Sequence, residues 1–199
     1  MGDDGAVGAT GAVGDEPDLS FVALTGADLP TIRGWLTAEH VAPWWAPTAA
    51  ARDEVEGELG RTIDGTDPAE VFVVHLDGRP VGLIQRYRID DDPEWKATLA
   101  VATDASGAAG IDYLIGDPDL VGRGVGSAMV RAFVASTFAR YPDVDRILVD
   151  PQAANRPSWR ALERAGFTRI WTGHLDDDDP ANVGDCHLYR LTRAEAAAS

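Results

Sequence analysis

Val121-Gly-Arg-Gly-Val-Gly-Ser127 lies between a strand-like run ending near Ile115 and a segment of helical apolar spacing that begins at Val125. Gly122, Gly124 and Gly126 let the main chain approach a ligand closely, and the first N–H groups of the helix that follows have no intrahelical partner. Such a loop suits an anion, above all a pyrophosphate. A tight turn that simply feeds a helix is the other reading of the same residues. A nucleotide-hydrolase loop would need Gly-Lys-Ser/Thr, yet Gly126 is followed by Ser127 and Ala128. A dinucleotide fingerprint would read G-x-G-x-x-G near the start of a strand–helix–strand unit. Here the loop reads G-x-G-x-G and lies beyond the middle of the chain.

Outward from the loop the elements are well punctuated. Val125, Ala128, Met129, Ala132 and Phe133 recur at helical spacing and are expected to bury one face, with Arg131 and Arg140 toward solvent. Arg146-Ile-Leu-Val-Asp150 is a short apolar run with turn residues on both sides, and it reads as a buried strand. Asn155 then stands as an N-cap, Pro157 lies in the first turn, Leu162 and Ala165 face inward, and Gly166 occupies the left-handed position after the helix. Upstream, Leu19 to Leu24 reads as a strand, and Asp28 to Leu36 and Ala50 to Thr62 as helices. Val71 to Leu76 and Pro80 to Tyr87 form a hairpin around Asp77-Gly78, a strong turn signal. Gly110 to Ile115, Thr168 to Gly173 and Cys186 to Leu191 complete the strands. The expected fold is α/β (α+β), a mixed and largely antiparallel sheet with helices on both faces.

Taken in order, the strand, the GRGVGS loop, the long helix, the short strand, Asp-Pro-x-x-x-Asn, the short helix and Arg-Ala-Gly-Phe resemble the core of the GNAT acyltransferases. The resemblance runs from about Phe21 to about Leu191. It implies acetyl-CoA or another acyl-CoA as co-substrate, and no metal. The pyrophosphate would lie on Gly122, Arg123, Gly124, Val125, Gly126 and Ser127, with the pantetheine arm between two splayed strands and near Asn155. The words Leu24-Thr-Gly-Ala-Asp-Leu29, Trp35-Leu36, His40-Val-Ala-Pro-Trp-Trp45, Gly110-Ile-Asp-Tyr-Leu114 and Val149-Asp-Pro151 look like those of the aminoglycoside 6'-N-acetyltransferases. The siderophore-lysine acyltransferases share much of the pattern and are the alternative. A non-catalytic acyl-CoA-binding sensor is the third reading.

Acetyl transfer needs a neutral amine, and a primary ammonium near its reference pKa is mostly protonated at pH 7, so a base must accept its proton. By resemblance Asp112 binds the reactive amine and accepts that proton, and Asp150 holds a second ammonium or shares the role. Without that resemblance, Asp112 is an ordinary strand carboxylate and Asp150 a turn former before Pro151. Backbone N–H groups at Leu114 and Ile115 are expected to polarise the thioester carbonyl. Trp45, Tyr87, Asp92 and Trp95 fall where the resembling enzymes line their acceptor cleft, while Trp44 reads as packing and Asp90 to Asp92 as a solvated turn. Two positions depart from the family. Val121 replaces the polar residue that often opens the pyrophosphate motif. Leu162 replaces the tyrosine thought to protonate the departing thiolate.

Composition sets the remaining bounds. With 17 basic against 33 acidic residues and a net charge of -16, the chain repels nucleic acid and anionic membrane and attracts polycations, as aminoglycosides are. Its 199 residues and 45% hydrophobic content suit one domain, expected over residues 18–193, with a tail at 194–199. Residues 1–17 are rich in Gly, Ala and Asp without periodicity and read as a disordered leader that lacks a basic start and an apolar core. The acidic run Asp176 to Asp179 reads as a solvated loop. No stretch has the length of a membrane span. Cys186 is the only cysteine, so an intramolecular disulfide is excluded, and the four histidines lack metal-ligand spacing. A cytoplasmic monomer or homodimer is expected.

Overall fold

A computed structural model of the chain describes residues 18–176 and 184–198. The expected leader, the acidic run beyond Asp176, and Ser199 lie outside them. One seven-stranded sheet organises these residues in the order β1-β2-β3-β4-β5-β7-β6. Its strands are β1 (Leu19–Ala23), β2 (Glu70–Leu76), β3 (Arg79–Arg88), β4 (Ala109–Ile115), β5 (Arg146–Val149), β6 (Thr168–Gly173) and β7 (Cys186–Thr192). All neighbours are antiparallel except β4 and β5. The β2–β3 hairpin turns at Asp77-Gly78, both with positive φ, as Asp-Gly turns require.

Strand alternation divides the core between the two faces. Val74, Ile84 and Ile111 pack with Met129, Phe133 and Leu162 from α5 (Val125–Arg140) and α6 (Arg156–Arg164). On the other face Val71, Val73, Leu83 and Leu114 meet Ile32, Leu36 and Leu59 from α1 (Leu29–Leu36) and α3 (Ala49–Ile63). Further along that face Leu148, Leu188 and Cys186 cluster with Leu99 of α4 (Pro93–Leu99). Two elements have little sequence signal: α2 (Ala42–Trp45), a single turn, and α4. The expected tail begins with a helix, α7 (Arg193–Ala197), started by a capping box between Thr192 and Glu195.

The stripe expected on α5 is displaced. Ala132 faces solvent and Val125 and Ala128 are half-buried, while Met129, Val130, Phe133, Val134, Thr137 and Phe138 are buried. The buried face is wider than a single stripe because α5 lies across the sheet and also packs against α6 and α7. Asp90 to Asp92 is no free turn either. Asp90 pairs with Lys96 and accepts from Gly107 N–H, and Asp92 caps α4 through the N–H groups of Glu94 and Trp95.

The feature that makes room for a ligand is the divergence of β4 from β5. Only Ala109 with Ile147 and Gly110 with Leu148 are paired, and beyond them the strands part.

Candidate active site

Where β4 leaves β5, its backbone polar groups need other partners. Antiparallel pairing turns alternate residues toward one neighbour. Gly116 N–H bonds Val81 C=O at one end of the β3–β4 ladder, and Ile89 N–H bonds Ala108 C=O at the other. Asp112 and Leu114 therefore direct their main-chain groups to β3, whereas Tyr113 and Ile115, beyond the last β4–β5 pair, direct theirs into the gap. This corrects one expectation: the amide available beside Ile115 for polarising a carbonyl is that of Tyr113, not of Leu114. The Ile115 carbonyl is held by His40 Nε2 at 2.9 Å.

Two cavities open on this gap. The larger, about 780 Å³, carries the carboxylates of Glu58, Asp67, Asp91, Asp92, Glu94, Asp112 and Asp150 with the rings of Trp44, Trp45, Tyr87 and Trp95. Among the described residues its one cation is Arg88, whose guanidinium grips Asp143 through bonds of 2.7 and 2.8 Å. Gln85, Tyr87 and Asp112 share one face of the sheet, since Gln85 pairs with Asp112 and Tyr87 with Gly110. Gln85 Nε2 donates to Asp112 Oδ2 at 2.8 Å and fixes the carboxylate's direction. The Tyr87 ring lies on Gly110, where a Cβ would come within 2.3 Å of it. Burial, then the charges of Asp112 and Asp150, push the Tyr87 phenol well above its ordinary value, with a hydrogen bond from Trp95 acting the other way. Tyr87 is therefore a neutral hydroxyl between two carboxylates. Asp150 follows the end of β5 and so stands across the gap from Asp112.

The second cavity, about 590 Å³, has a different chemistry. Leu114, Ile115, Gly122, Gly124, Gly126, Ser127 and Asn155 line it, together with His40 and Arg156, Arg160 and Arg164 of α6. Gly122 and Gly124 have φ of 78° and 88°, so glycine is demanded there by backbone conformation. Gly126 acts otherwise: it is helical, and a Cβ on it would sit in ordinary contact with Ala161. The first intrahelical bond of α5 runs from Ala128 N–H to Gly124 C=O, so the N–H groups of Val125, Gly126 and Ser127 precede the ladder. The Ser127 hydroxyl is spent on Gly124 C=O at 2.9 Å, which leaves its amide as the useful group. Asn155 caps α6 by accepting from Ser158 N–H. Arg123 is exposed on the loop outside the cavity wall, and Val125 is half-buried beneath it.

Five residues belong to both cavities: Trp44, Trp45, Tyr113, Asn155 and Ser158. The acidic chamber and the glycine- and arginine-lined chamber therefore meet across one wall. The sequence reading brought Asp112, Asp150, Tyr87, Asp92, Trp45 and Trp95 to the first chamber. It missed Gln85, Tyr113, Ser158 and His40. It also missed the arginines, although their spacing of four residues on one helix was visible. All three are exposed, and among the described residues none makes an ion pair.

Comparison with known proteins places this geometry. Residues 25–175 match the family model described as an acetyltransferase (GNAT) domain. The aminoglycoside N(6')-acetyltransferase type 1 of Klebsiella pneumoniae is 31% identical over 156 residues, 75% of this chain and 73% of that protein. The lysine N-acyltransferase MbtK of Mycobacterium sp. (strain MCS) is 30% identical over 190 residues, 92% of this chain and 70% of that protein. Among solved structures, aminoglycoside acetyltransferase AAC(6')-Ib in complex with coenzyme A and kanamycin superposes with a TM-score of 0.74 at 28% identity, covering 92% of this chain and 99% of that one.

Proposed function

The chain belongs to the GNAT acetyltransferases, and from that premise we propose that it transfers the acetyl group of acetyl-CoA to the 6'-amino group of aminoglycosides, both substrates being bound together. The observation that carries this reading is the pairing of chambers: an acidic, tryptophan-lined cleft joined through a common wall to a cleft of glycine amides and unpaired arginines. A polycationic sugar suits the first and a phosphorylated carrier the second. The relatives with aminoglycoside 6'-acetyltransferase activity in their names, and the neighbour bound to coenzyme A and kanamycin, support the same assignment.

In this reading the amides of Gly122 to Ser127 receive the pyrophosphate, with Arg123 beside them, and Arg156, Arg160 and Arg164 neutralise the remaining phosphate charge. Asn155 positions the pantetheine end. The N–H groups of Ile115 and Tyr113 stabilise the carbonyl oxygen as charge builds on it. Asp112, held by Gln85, accepts the proton of the attacking amine. Asp150 and Asp92 hold further ammonium groups, and Trp45, Tyr87 and Trp95 pack against the sugar rings. Acyl-CoA is a cytoplasmic metabolite and the chain has a single cysteine, Cys186, with no second one to form an intramolecular disulfide, so we place the protein in the cytoplasm. Among the described residues no helix is long and apolar enough to cross a membrane.

The likeness to a lysine N-acyltransferase favours a second reading, transfer to a lysine-type amine. Thiol release from acetyl-CoA with kanamycin, tobramycin and a hydroxylysine-type amine in parallel separates the two. Saturable turnover confined to the aminoglycosides is expected, and turnover confined to the lysine-like amine would move the protein to the second reading.

A further inference from the structure

Breaking a thioester leaves an electron pair on sulfur, and that charge develops where the two chambers meet. On the acceptor side carboxylates would repel it. The helix α6 offers nothing at Leu162, which is fully buried and has no proton to share. Two hydroxyls stand in the common wall instead. Tyr113 reaches from β4 to α6, where its O–H donates to Ser158 C=O at 3.0 Å and its oxygen lies 3.0 Å from Ser158 Oγ, with either hydroxyl able to donate in the second contact. One proton is enough to hold the tyrosine to that carbonyl. The other, on Ser158 Oγ, is able to rotate to a new acceptor, since a hydroxyl turns about its C–O bond. Asn155 is oriented by its side-chain oxygen, which accepts the capping bond from Ser158 N–H.

We infer that the Tyr113–Ser158 hydroxyl pair donates the hydrogen bond that receives the departing CoA sulfur. The amine lone pair forms the C–N bond, the C–S bond breaks with its electrons going to sulfur, and the amine proton goes to Asp112. Ser158 Oγ–H turns from Tyr113 to the sulfur while Tyr113 O–H remains on the Ser158 carbonyl. No proton leaves the pair. Burial pushes the Tyr113 phenol well above its ordinary value, against the opposing effect of its bond to Ser158, so it stays protonated. The thiolate departs hydrogen-bonded and is protonated by solvent.

The inference rests on the acetyl-CoA reading, and the test separates the two. Free CoA is bound to the protein, its affinity measured by calorimetry, and the bound thiol titrated through its ultraviolet thiolate absorbance. A cysteine thiol ionises at about 8.5, and free CoA titrated alongside gives the reference for its own thiol. In the wild type the bound thiol is expected about one unit lower than free CoA, a tenfold preference for thiolate. Ser158→Ala should remove most of that shift, and Ser158→Ala with Tyr113→Phe all of it. In both variants kcat should fall about tenfold with acetyl-CoA KM within about twofold of the wild type. A merely structural contact would lower melting temperature or CoA affinity and leave the thiol's ionisation alone. Bound CoA with the same thiol pKa in the wild type and the double variant overturns the inference and spares the acetyl-transfer reading. Failure of CoA to bind the wild type overturns both.

Discussion

Asp112 is where sequence and geometry converge most closely. The sequence offers it as a base through the family resemblance. What it could not offer was Gln85, twenty-seven residues away in the chain, because that partnership depends on strand register. The side-chain N–H of Gln85 can only donate to an ionised carboxylate, so it directs Asp112 Oδ2. Asp112→Asn should lower kcat about a hundredfold, the ordinary worth of a positioned base, with acetyl-CoA affinity within about twofold. Steady-state kinetics beside calorimetric binding of CoA check both halves, and unchanged turnover would remove Asp112 from the mechanism. Tyr113 and Ser158 were hidden for the same reason as Gln85, since nothing local says that a strand tyrosine meets a helix serine 45 residues on.

At the scale of elements the glycine loop and the capped helix after β5 were legible, because their signals are local. Positive φ at Gly122, Gly124 and Gly166 and the Asn155 cap all lie where turn and cap chemistry put them. Boundaries of the long strands and helices fall within a residue or two of expectation. The short helices α2 and α4 carry too few residues for periodicity to register, and the acidic run before α4 concealed a cap at Asp92. The loop's two kinds of glycine make a test of their different duties. Gly124→Ala forces a β-carbon into a left-handed conformation and should cost about 1–2 kcal/mol of stability while weakening CoA binding. Gly126→Ala meets only an ordinary contact with Ala161 and should leave stability within about 0.5 kcal/mol of the wild type or raise it. Thermal melts and CoA titrations of the two variants, side by side, measure the contrast.

Across the whole molecule two charge effects pull in separate directions. The net charge of -16 and the carboxylates of the acceptor chamber should draw a polycation at long range, so kcat/KM for an aminoglycoside should fall severalfold as ionic strength rises from about 0.05 to about 0.5 M. A flat salt profile would mean that the acidic surface takes no part in capture. The second effect is inside. Arg86 is buried between β2 and α5, bonded to Glu70 at 2.7 Å and to Ser136 at 2.9 Å, with its guanidinium over the Phe72 and Phe133 rings. Burial raises the Glu70 carboxyl, yet the hydrogen bonds from Arg86 and Arg140 outweigh it and hold the group below its ordinary value. A carboxyl with a lowered folded value contributes stability above its unfolded value, about 4.3, and loses that contribution as pH falls through the folded one. Glu70→Gln should therefore destabilise the protein by about 3 kcal/mol at pH 7, because it leaves a buried guanidinium without its counterion. The difference from the wild type should shrink below about pH 4. Denaturant unfolding at the two pH values reads this directly.

In the proposed reaction the two chambers bring an acyl carrier and a 6'-amino sugar to one wall. The most direct measurement takes two aminoglycosides that differ at the 6' position, one with an amine and one with a hydroxyl, each with acetyl-CoA and purified protein. The product is mapped by mass spectrometry and nuclear magnetic resonance. Saturable CoA release and one acetyl group on the 6' nitrogen of the first are expected, with turnover of the second at least about a hundredfold slower because a hydroxyl is the poorer nucleophile at neutral pH. Equal turnover of the two, or acetylation at another amine, would contradict the proposed reaction.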